Sequence, residues 1–325
     1  QRVILQWDGL CTGEVVDADA AMMHAALEVV GEALFGADLS GDAAVITSAT
    51  LRALDVVIAR ARVPITPPGW VPTPANRVLR SSLRDLDSAV EILLANQNES
   101  DTTNMVALLR SARDDNGDRL SAREIRDQIV TFIVAGHETV ASALSWAILL
   151  LAFNPDVQQR IAQEVEDACG ERQFTHAELA RMSYTRAVVD ETLRLYPPAW
   201  LITRQALGPD VLPSGAKAAV EVPRGSLIIM SPWLMHRHGE RWSEPERFHP
   251  ERMRVKYPRD AFIPFGAGPR LCIGRDFSYI ESVALLAALV RRYHFTPVHR
   301  QLPEAEPLVT IRPRGGAPVR ITRRV

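Results

Sequence analysis

Phe265-Gly266-Ala267-Gly268-Pro269-Arg270-Leu271-Cys272-Ile273-Gly274 is the stretch on which the fold turns. A lone cysteine follows a glycine-rich turn and opens an apolar helical run, Tyr279 to Leu289. The glycines at 266, 268 and 274 let the backbone pass close to a bulky flat object and take φ > 0 where a turn needs it. A cysteine at a helix start is where a thiolate is favoured, because free N–H groups and the helix dipole point at it. One thiolate, an arginine two residues earlier and close-approach glycines suit a single axial ligand to a planar iron macrocycle. A buried structural cysteine in a Gly-Pro loop is the competing reading, and the intact spacing F-x-x-G-x-R-x-C-x-G weighs against it.

Upstream of that loop the first 200 residues read as mostly helical. Ala18 to Phe35 is amphipathic, and Val63 to Asn76, with five prolines, reads as an irregular loop. Arg77 to Asn96 returns to helical periodicity, with apolar residues at 79, 83, 86, 90, 93 and 94. Ser121 and Glu124 form a capping-box pattern opening a helix that runs to Asn154, where Pro155 forbids simple continuation. At about 1.5 Å per residue it spans roughly 50 Å, enough to cross the molecule. Asp156 to Cys169, a short helix capped by Thr175 and Glu178, and Tyr184 to Leu195 follow. Beyond them, short apolar runs such as Ala218–Val222 and Leu227–Met230 predict small antiparallel strands. Leu308–Ile311 and Val319–Thr322 are expected to close a hairpin around Arg314-Gly315-Gly316.

Three motifs join the cysteine loop. Ala135-Gly136-His137-Glu138-Thr139 sits mid-helix, where a glycine costs about 1 kcal/mol relative to alanine and so needs a reason. Glu191-Thr192-Leu193-Arg194 places a carboxylate and a guanidinium on one helix face. Pro250-Glu251-Arg252-Met253 is the third, carrying another arginine.

With these motifs in place, the chain from about residue 15 onward resembles the cytochromes P-450, the heme-thiolate monooxygenases. The resemblance implies a mainly α fold with small antiparallel β-sheets, residues 1–325 as a single domain, and heme b as cofactor. Cys272 would be the iron ligand, with Phe265, Gly266, Gly274, Ala135 and Gly136 around the heme and Arg204 and Arg270 on its propionates. Glu138 and Thr139 look like the acid–alcohol pair that relays protons to bound oxygen, whereas His137 is expected to point away from the iron. Glu191, Arg194 and Arg252 would brace the proximal core, Met253 standing where the family pattern has phenylalanine. Phe132, Trp200, Leu201 and Leu308 are the candidate substrate contacts, and being bulky and apolar they imply a hydrophobic small molecule. His236 fits a family pattern but is assigned no site role.

The family's heme-covering helix carries a tryptophan followed four residues on by an arginine. Trp7 is followed at that spacing by Cys11, so the first helices, part of the larger sheet and the lid region are expected to be missing.

Composition narrows the setting. The 325 residues are 47% hydrophobic and 23% charged with net charge −2, which gives no overall bias toward nucleic acid or membrane. Cysteines at 11, 169 and 272 form no C-x-x-C pair, which argues against a zinc site or disulfide framework and fits a reducing cytoplasm. Lysine occurs only at 217 and 256, a usage that points to a high-GC bacterial genome. Residue 1 is glutamine, read as not the translational start, with no signal peptide before the first helix. Ile129 to Phe153 is long enough to span a bilayer, but His137, Glu138, Thr139 and Ser142 at its centre favour a buried core helix.

The expectation is a monomeric, cytoplasmic bacterial monooxygenase without a membrane anchor in this chain. Its electrons would come from NAD(P)H through a separate ferredoxin or flavodoxin type donor docking on the arginine-bearing face of the cysteine loop. A peroxide-using or isomerase-type relative and a non-catalytic heme-binding fragment are the alternatives. The retained Glu138–Thr139 pair disfavours the first.

Overall fold

The protein is described as a computed structural model covering all residues except 1, 11, 40–42, 62, 64, 96–102, 171, 173, 213–218, 256, 258 and 325. Its helical part comprises α1 (Arg2–Asp8), a strand β1 (Val15–Asp17), α2 (Ala18–Phe35), α3 (Ala43–Ala61), α4 (Pro74–Ala95) and α5 (Met105–Ser111). There follow α6 (Ala122–Phe153), α7 (Pro155–Cys169), α8 (His176–Arg181) and α9 (Ser183–Leu195). Small strands β2 (Ile202–Gln205), β3 (Asp210–Leu212), β4 (Val220–Val222) and β5 (Leu227–Met230) then precede a single turn, α10 (Pro232–Met235). The chain ends with α11 (Arg275–Arg292), β6 (Tyr293–Pro297), β7 (Ala305–Pro307), β8 (Ile311–Pro313) and β9 (Pro318–Arg323).

Helix α6 organises the rest. Both halves of its capping box form: Ser121 Oγ accepts from Glu124 N, and Glu124 Oε2 accepts from Ser121 N at 2.8 Å. From Val140 to Ala152 every residue is buried, as a helix apolar all round must be. It is long and apolar enough to cross a membrane, yet 78% of its most apolar window lies inside the fold. Its core cluster joins α1, α2, α7, α9, α11, β6 and β9, while α3, α4 and α5 form a second cluster with α2 and the N-terminal half of α6. Trp7 belongs to the first, edge-on to Tyr293 and Phe295 at 5.5 and 6.2 Å.

Two local expectations shift. The helix expected from Arg77 begins at Pro74, inside the stretch read as loop. A proline at the first helical position loses no hydrogen bond, because that N–H has no partner in a helix. The C-terminal strands do not close on each other. Instead β8 pairs with β7, whereas β9 lies between β1 and β6 in a three-stranded antiparallel sheet, with Val15 opposite Arg320 and Phe295 opposite Ile321. The turn at Gly315 and Gly316, at φ 81° and 88°, hands the chain from one sheet to another. Asn96 and Ala218, the expected end and start of two elements, and Cys11 lie outside the described residues.

Candidate active site

The cysteine loop is built by backbone. Gly266 and Gly268 sit at φ 73° and 70°, the left-handed region that a side chain would strain. Gly266 N donates to Ile263 O, Leu271 N to Gly268 O and Cys272 N to Phe265 O, each at 3.0 Å. Gly274 is at φ −84° and caps α11, so its use is different from that of the other two. A Cβ on it would stand 3.9 Å from Cys272 Sγ. The thiol is exposed and has no hydrogen-bond partner among the described residues, and Ile273 beside it is 89% exposed. Arg270 is exposed, with no ion pair or hydrogen bond to a described residue.

Behind the loop, the Phe265 ring lies 5.0 Å from Tyr279 of α11. Tyr279 Oη donates to Asp190 Oδ1 at 2.7 Å, and the Arg186 guanidinium stacks 3.1 Å above the Tyr279 ring. Burial raises the Asp190 carboxyl above the usual carboxylate range.

The three residues expected to form a brace meet one another. Glu191 and Arg194 are completely buried on α9. Arg194 donates from Nε to Glu191 Oε2 at 2.8 Å and from Nη2 to Oε1 at 3.0 Å. Arg252 Nε and His249 N both donate to Oε1, at 3.0 and 2.9 Å. The other Arg194 hydrogens go to the carbonyls of His236, Pro245 and Arg247. His236, given no role from sequence, closes the assembly: its buried Nε2 accepts from Ile263 N at 2.9 Å, two residues before the cysteine loop. Burial holds its pKa down at about 4, so the ring stays neutral and keeps that acceptor.

A path of contacts leads from the cysteine loop to α6. A Cβ on Gly266 would meet Ile202 Cδ1 of β2 at 3.9 Å. Just before β2, Trp200 Nε1 donates to Leu308 O at 2.9 Å, and Pro198 O accepts from Ile311 N at 3.3 Å. The Leu308–Ile311 turn then meets α6, where Ser142 Oγ and Trp146 Nε1 donate to Ile311 O at 2.8 and 3.0 Å. Leu201 on this path is exposed, and Arg204 on β2 is exposed, its guanidinium bonded only to Thr203 O among the described residues.

On α6 the five-residue motif divides among the helix faces. Ala135 is exposed, the last such residue before the helix becomes buried or half-buried from Gly136 on, and Thr139, one turn on, donates from Oγ1 to Ala135 O at 2.8 Å. Gly136, expected to leave room beside the cofactor, faces α2 instead: a Cβ there would lie 2.8 Å from Val30 Cγ2. Its smallness serves the approach of two helices. Phe132 packs against the second core cluster. His137 is buried, with Nδ1 2.6 Å from Ile133 O, and burial lowers its pKa. Glu138 is also buried; its Oε1 accepts from Thr310 Oγ1 at 2.8 Å and lies 3.6 Å from Arg312 Nη1. Glu138 and Thr139, adjacent in sequence, therefore reach different neighbours. Thr310 and Arg312 carried no sequence signal, since nothing near them in the chain points to residue 138.

The sequence profile of the cytochrome P450 family matches residues 5–317. The chain belongs to the cytochrome P450 family. Its relatives include cyclooctatin synthase of Streptomyces melanosporofaciens, 33% identical over 311 residues that cover 92% of this chain and 64% of that protein. Pentalenene oxygenase of Streptomyces avermitilis is 34% identical over 261 residues, covering 78% of this chain and 55% of that protein. Protein LUTEIN DEFICIENT 5, chloroplastic, of Arabidopsis thaliana is 31% identical over 315 residues, covering 87% and 51%. The chain thus spans between half and two thirds of the length of these cytochrome P450 relatives. The family's cofactor is heme, iron protoporphyrin IX, and the mainly α architecture with small antiparallel sheets is the cytochrome P450 fold.

Proposed function

We propose that this chain is the heme-thiolate domain of a monooxygenase that inserts one oxygen atom from dioxygen into a hydrophobic small molecule. The observation that carries this reading is the Cys272 thiol, exposed, without a hydrogen-bond partner among the described residues, and presented by a loop that two left-handed glycines and the Ile263–His236 hydrogen bond hold in place. The donor set fits heme: a free thiol at Cys272, two exposed arginines whose guanidiniums make no ion pair among the described residues, and open apolar residues at Ala135, Leu201, Leu271 and Ile273. When bound, heme would supply iron at which dioxygen is activated, and the Cys272 thiolate holding that iron would push electron density toward it.

In this reading Cys272 is the ligand, Arg270 and Arg204 hold the propionates, and Phe265, Gly266, Gly274 and Ala135 form the walls. Thr139, on the face opened by Ala135, holds a proton at Oγ1, and Glu138 restores it from the buried side. Trp200, Leu201 and Leu308 contact substrate, their positions linked by the Trp200–Leu308 hydrogen bond. Phe132 is better placed as support for α6 than as a substrate contact. Electrons come from NAD(P)H through a separate ferredoxin or flavodoxin type protein, and the chain works as a soluble bacterial cytoplasmic monomer. The streptomycete relatives and the burial of α6 support that setting. The name of the pentalenene oxygenase relative supports the oxygenase assignment.

The test is oxygen labelling. With a surrogate ferredoxin and reductase, NADPH and pentalenene as a probe hydrocarbon, the reading predicts one atom of ¹⁸O from ¹⁸O₂ in the product. A product carrying its new oxygen from water, or one formed equally well without dioxygen, contradicts it. Thr139→Ala is expected to divert reducing equivalents to hydrogen peroxide; coupling equal to wild type removes Thr139 from the relay.

A further inference from the structure

Glu138 is positioned by distant parts of the chain. Arg312, 3.6 Å from Oε1, is itself anchored on α2, where Nη2 donates to Asp19 Oδ2 and Nη1 lies 3.4 Å from Met23 Sδ. Asp19 Oδ1 in turn accepts from Ser145 Oγ of α6 at 3.0 Å, closing a buried loop of polar contacts. Thr310 Oγ1 donates to the same Oε1 at 2.8 Å, and Asp19, Glu138, Thr310 and Arg312 are each at most 9% exposed. The other carboxylate oxygen, Oε2, is as deeply buried but has no hydrogen-bond partner among the described residues.

A buried carboxylate with one oxygen loaded by a hydroxyl and a guanidinium has only the other oxygen free to exchange a proton. We propose that Thr310 and Arg312 are positioning residues for the acid of this site. They fix Glu138 through Oε1 and leave Oε2 as the oxygen that takes up and returns the proton. They act through Glu138 alone, and the inference rests on the monooxygenase reading above. It also gives the Leu308–Ile311 turn two tasks, because the same turn receives Trp200.

The test compares Thr310→Val, Thr310→Ser, Arg312→Met, Arg312→Lys and Glu138→Gln in the heme-loaded chain, driven by NADPH with a surrogate ferredoxin and no substrate. Dioxygen then leaves either as hydrogen peroxide, after two electrons and two protons, or as two waters, after four of each. A hydrogen bond to a charged group is worth about tenfold in an equilibrium, so Thr310→Val is expected to raise the peroxide-to-water ratio about tenfold. Thr310→Ser restores the ratio, and Arg312→Lys recovers more of it than Arg312→Met.

The second readout is independent of turnover. The infrared carboxylate stretch of Glu138, identified by its loss in Glu138→Gln, shifts in Thr310→Val and returns in Thr310→Ser. A Thr310→Val protein with the wild-type ratio and stretch overturns the proposal, as does a serine variant no better than the valine. Because Thr310→Val is nearly isosteric, the outcome stands even if Arg312→Met fails to fold. If Glu138→Gln itself keeps the wild-type ratio, the relay reading falls with the proposal. If Glu138→Gln raises the ratio while Thr310→Val does not, the proposal alone falls.

Discussion

Glu191 and Glu138 are both buried carboxylates on helices with an arginine nearby, yet they are finished differently. Glu191 receives four donors, from Arg194 twice, Arg252 and the His249 backbone, so neither oxygen is left over. Among the described residues Glu138 receives one hydrogen bond and one longer ion-pair contact, both on Oε1, and its Oε2 has no partner. A carboxylate with both oxygens engaged is a fixed part of the frame, since a change of protonation breaks bonds that hold other elements. One with a free oxygen can change protonation at the cost of little else. In the proposed reading the contrast separates a residue that holds the fold from one equipped for chemistry, although either would count as a buried charge.

The contrast is most easily broken at Glu191. Glu191→Gln leaves two guanidiniums facing a neutral amide, whose NH₂ cannot accept from Arg194 Nε. Breaking a buried pair in this way costs about 3–5 kcal/mol. The expected result is a chain whose thermal midpoint falls steeply or that no longer unfolds cooperatively, while Glu138→Gln keeps a cooperative transition. Comparable midpoints for the two variants would erase the distinction.

His236 sharpens the picture, because it belongs to the braced side through its carbonyl bond from Arg194. Its pKa is depressed to about 4 in the fold, against an ordinary value near 6.5. Above about pH 6.5 both the folded and unfolded rings are neutral, and stability does not depend on this group. Between about pH 6.5 and 4 the unfolded chain takes up a proton that the folded chain refuses, so stability falls as pH falls, by about 3 kcal/mol. Denaturant titrations across that window should show the loss, and His236→Gln should flatten it. An unchanged slope in the variant would mean that the ring is not protected as the structure implies.

A smaller effect is expected at Gly136. Alanine there would push Cβ to 2.8 Å from Val30, an overpacking cost of about 1–3 kcal/mol that opposes the usual helix gain. Gly136→Ala should lower the thermal midpoint, and Val30→Ala added to it should recover part of the loss. A midpoint raised by Gly136→Ala would show that the glycine serves some need other than the α2 contact.

These residues also show how far the sequence could be read. The Glu191–Arg194 pair, both capping boxes and the cysteine loop were legible because their partners lie within a few residues, where helix or turn geometry fixes the spacing. Arg252 was legible only because a motif announced it. The partners of Glu138 lie 172 and 174 positions downstream, and Asp19 lies more than a hundred upstream; no local period encodes such contacts. The C-terminal strands were misread for the same reason. They are three and six residues long, and β9 takes β1, at the far end of the chain, as a partner.

Cys272 as the cysteine that binds iron is tested most directly by the carbon-monoxide difference spectrum of the reduced, heme-loaded chain. The predicted result is a thiolate-type Soret band that disappears in Cys272→Ala and persists in Cys169→Ala. A band unchanged in Cys272→Ala, or one lost only with Cys169, would contradict it.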